Sequence, residues 1–555
     1  MNIYLKDHFV PSENSDSTLS VISALSALNN GDTLFLGGNE LHFYPEFAAS
    51  GEYFVPNNDW SRKPIAFILK NKENITIDGE GAKLIFHGRM SPFVLDASEN
   101  ITLKNFSIDY AEPMYFEAKI VDAGENFVEM EYNDEIFHVD AEENSLRFYG
   151  DGWENKGIAK LLVNEFDPEI KGPAIGTPTY FANVTGVEDK TFMAFLHRYL
   201  KASKPAKNRL RLEGEIKYTH KVGRYWLCTH NDRKYPGIYV TECKDVLIEN
   251  VLLTHTLSMG VIASLTENIT LKNVSALPGE GRMLSVDADA THFVNCTGLI
   301  HITGCRFESM MDDAVNIHGI YAPVTKKLSE TSVLLKFGHF QQAGINVFKN
   351  GDKIRLCDNE SLAPYAYYTV KSSRTLSETH LILETEEKLS EDIKEGHVFE
   401  NYSRMPKIHI ENTKSGFNRP RGFLISNCQG TIIENCTFYN MSNAIDFSGD
   451  ANSWYESGPC DNVVIRNNDF TKAAYCGGPV ITADPQIKSH GIPYHKNIVV
   501  EENTFSENDK RYMRLSDCEN VTFRNNKFVK TPPVPFPSFN EDGILLANCK
   551  NIVIE

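Results

Sequence analysis

Three aspartates carry the chemistry this chain could do. Asp289 stands in Val286-Asp287-Ala288-Asp289-Ala290-Thr291-His292-Phe293, and Asp312 with Asp313 in Met310-Met311-Asp312-Asp313-Ala314-Val315-Asn316-Ile317-His318-Gly319. Two carboxyl groups, one protonating a leaving oxygen and one activating a water, are the pair that splits a glycosidic bond. Carboxylates held close together repel near neutrality and push one pKa upward, which keeps a proton on hand for the acid role. His292, Asn316 and His318 lie beside them in sequence and are candidates for contacts to sugar hydroxyls. Asp287 alone reads as a solvent-facing bend residue.

The spacing of these acids matches a repeat. Twenty-three positions separate Asp289 from Asp312, and the phrase Asn/Asp-Ile/Val-x-apolar starts at Asn74, Asn100, Asp245, Asn268, Asn462, Asn497, Asn520 and Asn551. Asp245 to Asn268 and Asn497 to Asn520 are again 23 apart. A period of this length marks a solenoid. Each phrase alternates apolar and polar residues, which is strand patterning, and several close on a Phe: Phe307, Phe438, Phe470, Phe505 and Phe528.

Strands returning so often leave no room for crossover helices, so the expected fold is all-β: a right-handed parallel β-helix, three short strands per coil, coils stacked about 4.8 Å apart. The repeated Asn would bond its counterpart one coil away, and the repeated Phe and Cys would pile up inside. Before the first coil, Val21, Ile22, Ala24, Leu25, Ala27 and Leu28 form one apolar face after a cap at Asp16, Ser17 or Thr18. A helix there would cover the open edge of the solenoid. The other end stops mid-phrase at Ile554-Glu555, as if a tail or trimmed segment followed.

Two stretches lack the phrase, and alternating runs such as Phe127–Tyr132 and Ser332–Phe337 make them small inserted antiparallel β-barrels. The division is therefore 1–112, cap and first coils; 113–225, first barrel; 226–319, coils with the aspartates; 320–403, second barrel; and 404–555, C-terminal coils. Because the second barrel leaves directly after Asp312 and Asp313, it should wall the site.

Asn268 and the next phrase start, Gly298, are 30 apart, and the surplus fits an extruded loop Leu277-Pro278-Gly279-Glu280-Gly281-Arg282-Met283. With that loop bulged out, Asp289 falls directly under Asp312, and side-chain divergence would open the gap toward the roughly 6.5–9.5 Å that seats a water. Sugar binding also needs an aromatic platform and polar groups around hydroxyls. Trp454 and Glu456 in a Gly-Asp-Ala-Asn loop, Arg421 in Asn418-Arg419-Pro420-Arg421-Gly422, and Arg282 are further candidates.

A net charge of −19 disfavours nucleic acid and anionic membranes as partners. No apolar run is long enough to insert in a membrane, and the first residues carry no signal h-region, so a secreted or periplasmic protein with its leader removed is expected, a cytoplasmic one the alternative. A homo-oligomer is compatible with the sequence. The count of 11 cysteines is odd and contains no C-x-x-C pair, so they read as small core residues rather than disulfides or metal ligands.

The pattern resembles the pectin-lyase-like β-helix superfamily. The phrases around Asp289 and Asp312-Asp313, with Gly449-Asp450-Ala451-Asn452-Ser453-Trp454-Tyr455-Glu456-Ser457-Gly458, resemble glycoside hydrolase family 110 over nearly the whole chain. The resemblance implies an inverting exo-α-galactosidase that removes terminal α-1,3-linked galactose, as on the blood group B determinant, with no metal or other cofactor. Carried over from the related polygalacturonases, it implies Asp312 as general acid and Asp289 with Asp313 as base. The Gly-His-Gly and Arg-x-Lys motifs of polygalacturonases are absent, which counts against a uronate. The alternatives are a uronate hydrolase or Ca²⁺-dependent lyase on the same scaffold, and a non-catalytic glycan-binding β-helix.

Overall fold

The computed structural model describes residues 1–142, 145–154, 161–177, 180–183, 196–216, 220–229, 233–507, 511–529 and 543–555. Its body is a right-handed β-helix of three parallel strand ladders. One ladder runs through Glu99–Tyr110, Lys244–Leu253, Glu267–Lys272, Thr297–Thr303, Lys407–Glu411, Cys428–Glu434 and Cys460–Arg466. A second holds short strands such as Arg306–Glu308, Lys414–Gly416 and Thr437–Tyr439. The third, which carries the site, runs through Ile238–Thr241, Val261–Ser264, Thr291–Val294, Val315–Ile320, Phe423–Ile425, Ile445–Phe447 and Ile481–Ala483.

The phrase residue is Asn because it sits at a bend in left-handed backbone. Asn74, Asn100, Asn268, Asn497 and Asn520 have φ of 58, 53, 55, 55 and 58°, a region that costs most residues energy but that Asn tolerates. Their amides then bond along the stack: Asn100 to Asn74 at 2.7 Å, Asn268 to Asp245 at 2.8 Å, and Asn520 to Asn497 at 2.9 Å. Inside, Phe438, Phe470 and Phe505 stack at successive centroid distances of 5.0 and 4.9 Å, and the exposed ring of Phe528 continues the stack at 5.5 Å. All eleven cysteines are free thiols, nine of them buried.

The α-helix Thr18–Ala27 buries Val21 and Ala24 against the first coil. Ser17 is its N-cap residue, and Asp16 just before it accepts from the Thr18 amide at 2.8 Å through its carboxylate.

Both insertions leave the ladder unbroken. Lys244–Leu253 pairs directly with Glu99–Tyr110 across the first, and Lys407–Glu411 with Thr297–Thr303 across the second. The first insertion spans Tyr115–Thr229 and closes as a barrel, since Tyr225–Thr229 pairs with both Tyr115–Gly124 and Leu161–Asp167. One of its pairings, Tyr180–Asn183 with Leu196–Ser203, is parallel, so this barrel is not wholly antiparallel. The second is a closed six-stranded antiparallel barrel from Ala322 to Asn401.

Candidate active site

The aspartates lie at the N-terminal ends of two adjacent strands of the third ladder. Thr291 pairs with Val315 and His292 with Asn316, so Asp289 stacks on Asp313, not on Asp312. The step is one residue longer than the 23-residue repeat. The Asp313 amide donates to Asp289 Oδ1 at 3.1 Å, and the Ala290 amide to the Asp313 carbonyl at 2.9 Å, which locks that register. One oxygen from each of Asp289, Asp312 and Asp313 lies within 4.8 Å of the other two. That is tighter than the gap expected from divergence, because two arginines draw the carboxylates together.

The first is Arg421, which grips Asp313: its amide and Nε donate to Oδ1 at 3.2 and 2.9 Å, and Nη2 to Oδ2 at 2.8 Å. Asn418 fixes that bend, bonding the Asp312 carbonyl at 2.9 Å and the Arg421 carbonyl at 2.6 Å. The second is Arg233, whose Nη2 donates to Asp312 Oδ2 at 2.5 Å. No sequence motif marks Arg233; Asp59 positions it by exchanging backbone and side-chain bonds with it.

The three carboxyls are unlike. Asp289 and Asp313 are 2% and 0% exposed, whereas the Asp312 side chain keeps 15% of its surface open. Burial pushes Asp312 upward, but Arg233, Arg419 and Arg421 outweigh it and hold it below the usual carboxylate range. Burial, reinforced by the Asp312 charge, drives Asp289 well above that range. Burial pushes Asp313 up as well. Against that, both its oxygens accept from Arg421, a bidentate ion pair that favours the carboxylate. The opposite shifts of Asp289 and Asp312 favour a proton on Asp289 over one on Asp312.

His292 and His318, read from sequence as sugar contacts, are 0% and 1% exposed and lie behind Asp289. They extend from Asp289 in a chain: His292 Nδ1 is 2.5 Å from Asp289 Oδ2, and His292 Nε2 is 2.9 Å from His318 Nε2. Burial pushes His292 down to about 4 and lowers His318 too. Glu456 Oε1 lies 3.6 Å from His318 Nε2 and accepts from Asn57 Nδ2 at 2.9 Å. Asn316, on the same face as His292, has a buried Oδ1 with no partner among the described residues.

Counting on from Asn316 through Leu424 reaches Asp446, a fourth carboxyl on the same face that sequence reasoning missed. Burial and the charges of Asp484 and Glu456 raise it to about 6 against the pull of Arg421. Trp454 stands at the mouth, 40% exposed, its loop held by Asp450, whose carboxylate accepts from the amides of Asn452, Ser453 and Trp454. The second barrel borders this mouth: the His339 ring lies 4.3 Å from that of Trp454, and Gln341 donates to Asp59 at 3.0 Å.

Arg282 is not brought to the aspartates. Its loop packs under the first barrel instead of extruding, with Arg282 Nη2 donating to Asp109 at 2.6 Å and the Met283 amide to Glu117 at 3.0 Å.

The chain matches two known families: GLAA-B beta-barrel domain II over residues 332–399, and the right handed beta helix region over 392–555. It is 30% identical to alpha-1,3-galactosidase B of Bacteroides thetaiotaomicron, covering 94% of this chain and 85% of the relative. It is 32% identical to alpha-1,3-galactosidase A of Shewanella woodyi, covering 95% and 85%, and 31% identical to alpha-1,3-galactosidase B of Phocaeicola vulgatus, covering 97% and 90%. With a carboxylate cluster on the outer face of its coils and this likeness along nearly its whole length, the chain belongs to the alpha-1,3-galactosidase family of β-helix glycosidases.

Proposed function

We propose that the protein removes terminal α-1,3-linked galactose from the non-reducing end of neutral glycans, blood group B-type branches among them, with inversion at the anomeric carbon. Asp312 delivers the proton to the glycosidic oxygen, and Asp289 with Asp313 holds and deprotonates the attacking water. The observation that carries this reading is the asymmetry of exposure: of three converging carboxyls, Asp312 alone keeps its side chain partly open to solvent. Asp312 is ionised when free, so it takes up its proton as the sugar desolvates it and parts it from Arg233. The positive charge that develops on the sugar ring is met by the remaining anions.

The guanidiniums of Arg233 and Arg421 already supply the countercharge a divalent cation would bring, so the reading needs no metal. Trp454 offers a ring face to the sugar, and the partly exposed Asp446 and Glu456 offer acceptors to its hydroxyls.

One observation favours a second reading. Carboxyl oxygens within 4.8 Å of each other are closer to the roughly 5–5.5 Å spacing of retaining glycosidases than to the inverting window. Proton NMR of the anomeric region during cleavage of a terminal α-1,3-galactoside in EDTA decides between them. β-Galactose as the first product supports inversion, α-galactose establishes retention, and no release of galactose overturns the substrate assignment. Asp312→Asn, Asp289→Asn and Asp313→Asn are each expected to lose about 10²–10⁴-fold in kcat while folding normally.

A further inference from the structure

The two buried histidines behind Asp289 do more than pack. Each contact along this chain admits one proton, and the bonding at its far end fixes where the protons lie. His318 Nδ1 is 2.7 Å from the Gly319 carbonyl, which can only accept, so Nδ1 carries hydrogen. A neutral His318 then presents a lone pair at Nε2, and the 2.9 Å gap is filled by a proton from His292 Nε2. A neutral His292 in turn presents a lone pair at Nδ1, so the 2.5 Å contact to Asp289 Oδ2 is filled by a proton from the carboxyl. Three bonded groups thus share three protons with no net charge. Moving two of those protons one gap each gives the other tautomer: Asp289 ionised, His292 protonated on Nδ1, and His318 an imidazolium facing the Glu456 carboxylate at 3.6 Å.

We propose that His292 and His318 form a proton relay that switches Asp289 between carboxyl and carboxylate, with Glu456 as its outer end. The proposal rests on the hydrolytic reading above and assigns both histidines as positioning residues. In the ionised tautomer Asp289 accepts a proton from the attacking water as that water's oxygen bonds to the anomeric carbon and the bond to the leaving oxygen breaks. His292, already protonated at Nδ1, cannot receive that proton, so Asp289 sheds it to solvent once the product leaves, while the Glu456 carboxylate 3.6 Å from His318 stabilises the imidazolium without taking its proton. The leaving oxygen receives its proton from Asp312, which regains one from solvent, so the sum is glycoside plus water giving galactose plus the shortened glycan. Asp313, gripped by Arg421, helps to hold the water while Asp289 takes its proton. The charged groups facing the relay are Asp312 and Asp313 from the adjacent coil, Arg233 from the segment before Ile238–Thr241, Arg421 from the bend before Phe423–Ile425, and Glu456 from the strand paired with Gly319 and Ile320. Asn57 pins Glu456 at 2.9 Å, which keeps the outer end in place.

Galactose release by the wild-type protein is measured first, because no release sinks the hydrolytic reading and leaves the relay to be judged by NMR alone. With histidine labelled in ¹⁵N and assigned through His292→Gln and His318→Gln, the relay requires one of two patterns. Either His292 is the Nε2–H tautomer beside an Nδ1–H His318, or His292 is Nδ1–H beside a doubly protonated His318. Two singly protonated rings with His292 on Nδ1 overturn the proposal. Where turnover is seen, His318→Gln is expected to lower kcat about 10- to 10³-fold with KM within about twofold and to displace the acid limb of the kcat profile. Glu456→Gln, which leaves both rings in place, is expected to shift the same limb toward higher pH. An unmoved acid limb in both variants overturns the relay, because a purely structural role lowers kcat without changing its pH dependence.

Discussion

Asp312 and Asp289 divide the site's charge in a way that pH kinetics can read. Free Asp312 sits below the usual carboxylate range because three arginines outweigh its burial, so the protonated form needed for acid catalysis is scarce in the free enzyme. Substrate that separates it from Arg233 removes the nearest of those charges and lets burial raise the carboxyl. The alkaline limb of kcat, which reports the complex, is therefore expected at higher pH than the alkaline limb of kcat/KM, which reports the free enzyme. Arg233→Gln should move the kcat/KM limb upward toward that of kcat. Coincident limbs in the wild-type protein, unmoved in the variant, would take the acid role away from Asp312.

At the scale of elements, the bend Asn residues specify the coil. Asn497 has φ of 55°, donates to Asp461 at 2.7 Å and accepts from Asn520 at 2.9 Å. Asn497→Gly loses the two bonds but relaxes the backbone, whereas Asn497→Ala loses the bonds and keeps the strain, a further cost of roughly 1–2 kcal/mol. Calorimetry should rank the thermal midpoints wild type, then Gly, then Ala; equal midpoints for Gly and Ala would show that left-handed backbone is not what selects Asn here. The same chemistry made the coils legible in sequence, since Asn at a bend, alternation in a strand and a stacked Phe each leave a periodic mark. The site was legible only as far as that period held. Asp289 pairs with Asp313 because the bend before Thr291 and Val315 adds one residue to the 23-residue step, which the phrase spacing does not record. Arg233 and Asp59 meet the cluster from segments outside the repeat. Asp446 was within reach of phase counting from Asn316, whereas the burial of Arg282 depended on where the first barrel would lie.

Over the whole molecule, the first barrel is joined to the coils by two groups with opposite pH dependence. His255 Nδ1 donates to the Ser285 carbonyl at 2.8 Å while its Nε2 accepts from the Met114 amide at 3.3 Å. That arrangement requires a neutral ring, and burial depresses His255 to about 4. Glu117 accepts from the Met283 amide nearby and is raised by burial to about 7. Unfolded, His titrates near about 6.5 and Glu near about 4.3. Between those values the unfolded chain binds more protons at His255 than the folded one, so this group's stabilisation falls as pH drops from about 6.5 toward 4. In the same window the folded protein binds more protons at Glu117, so that group's stabilisation falls as pH rises from about 4.3 to 7. The two slopes, each up to about 1.4 kcal/mol per pH unit, oppose one another and keep the joint steady across mildly acidic conditions. His255→Gln leaves the Glu117 slope uncompensated, and its thermal midpoint relative to wild type should fall as pH rises from 5 to 6.5. Glu117→Gln should tilt the other way, its relative midpoint falling as pH drops over the same interval. Parallel curves for all three proteins would mean that neither group changes protonation on unfolding.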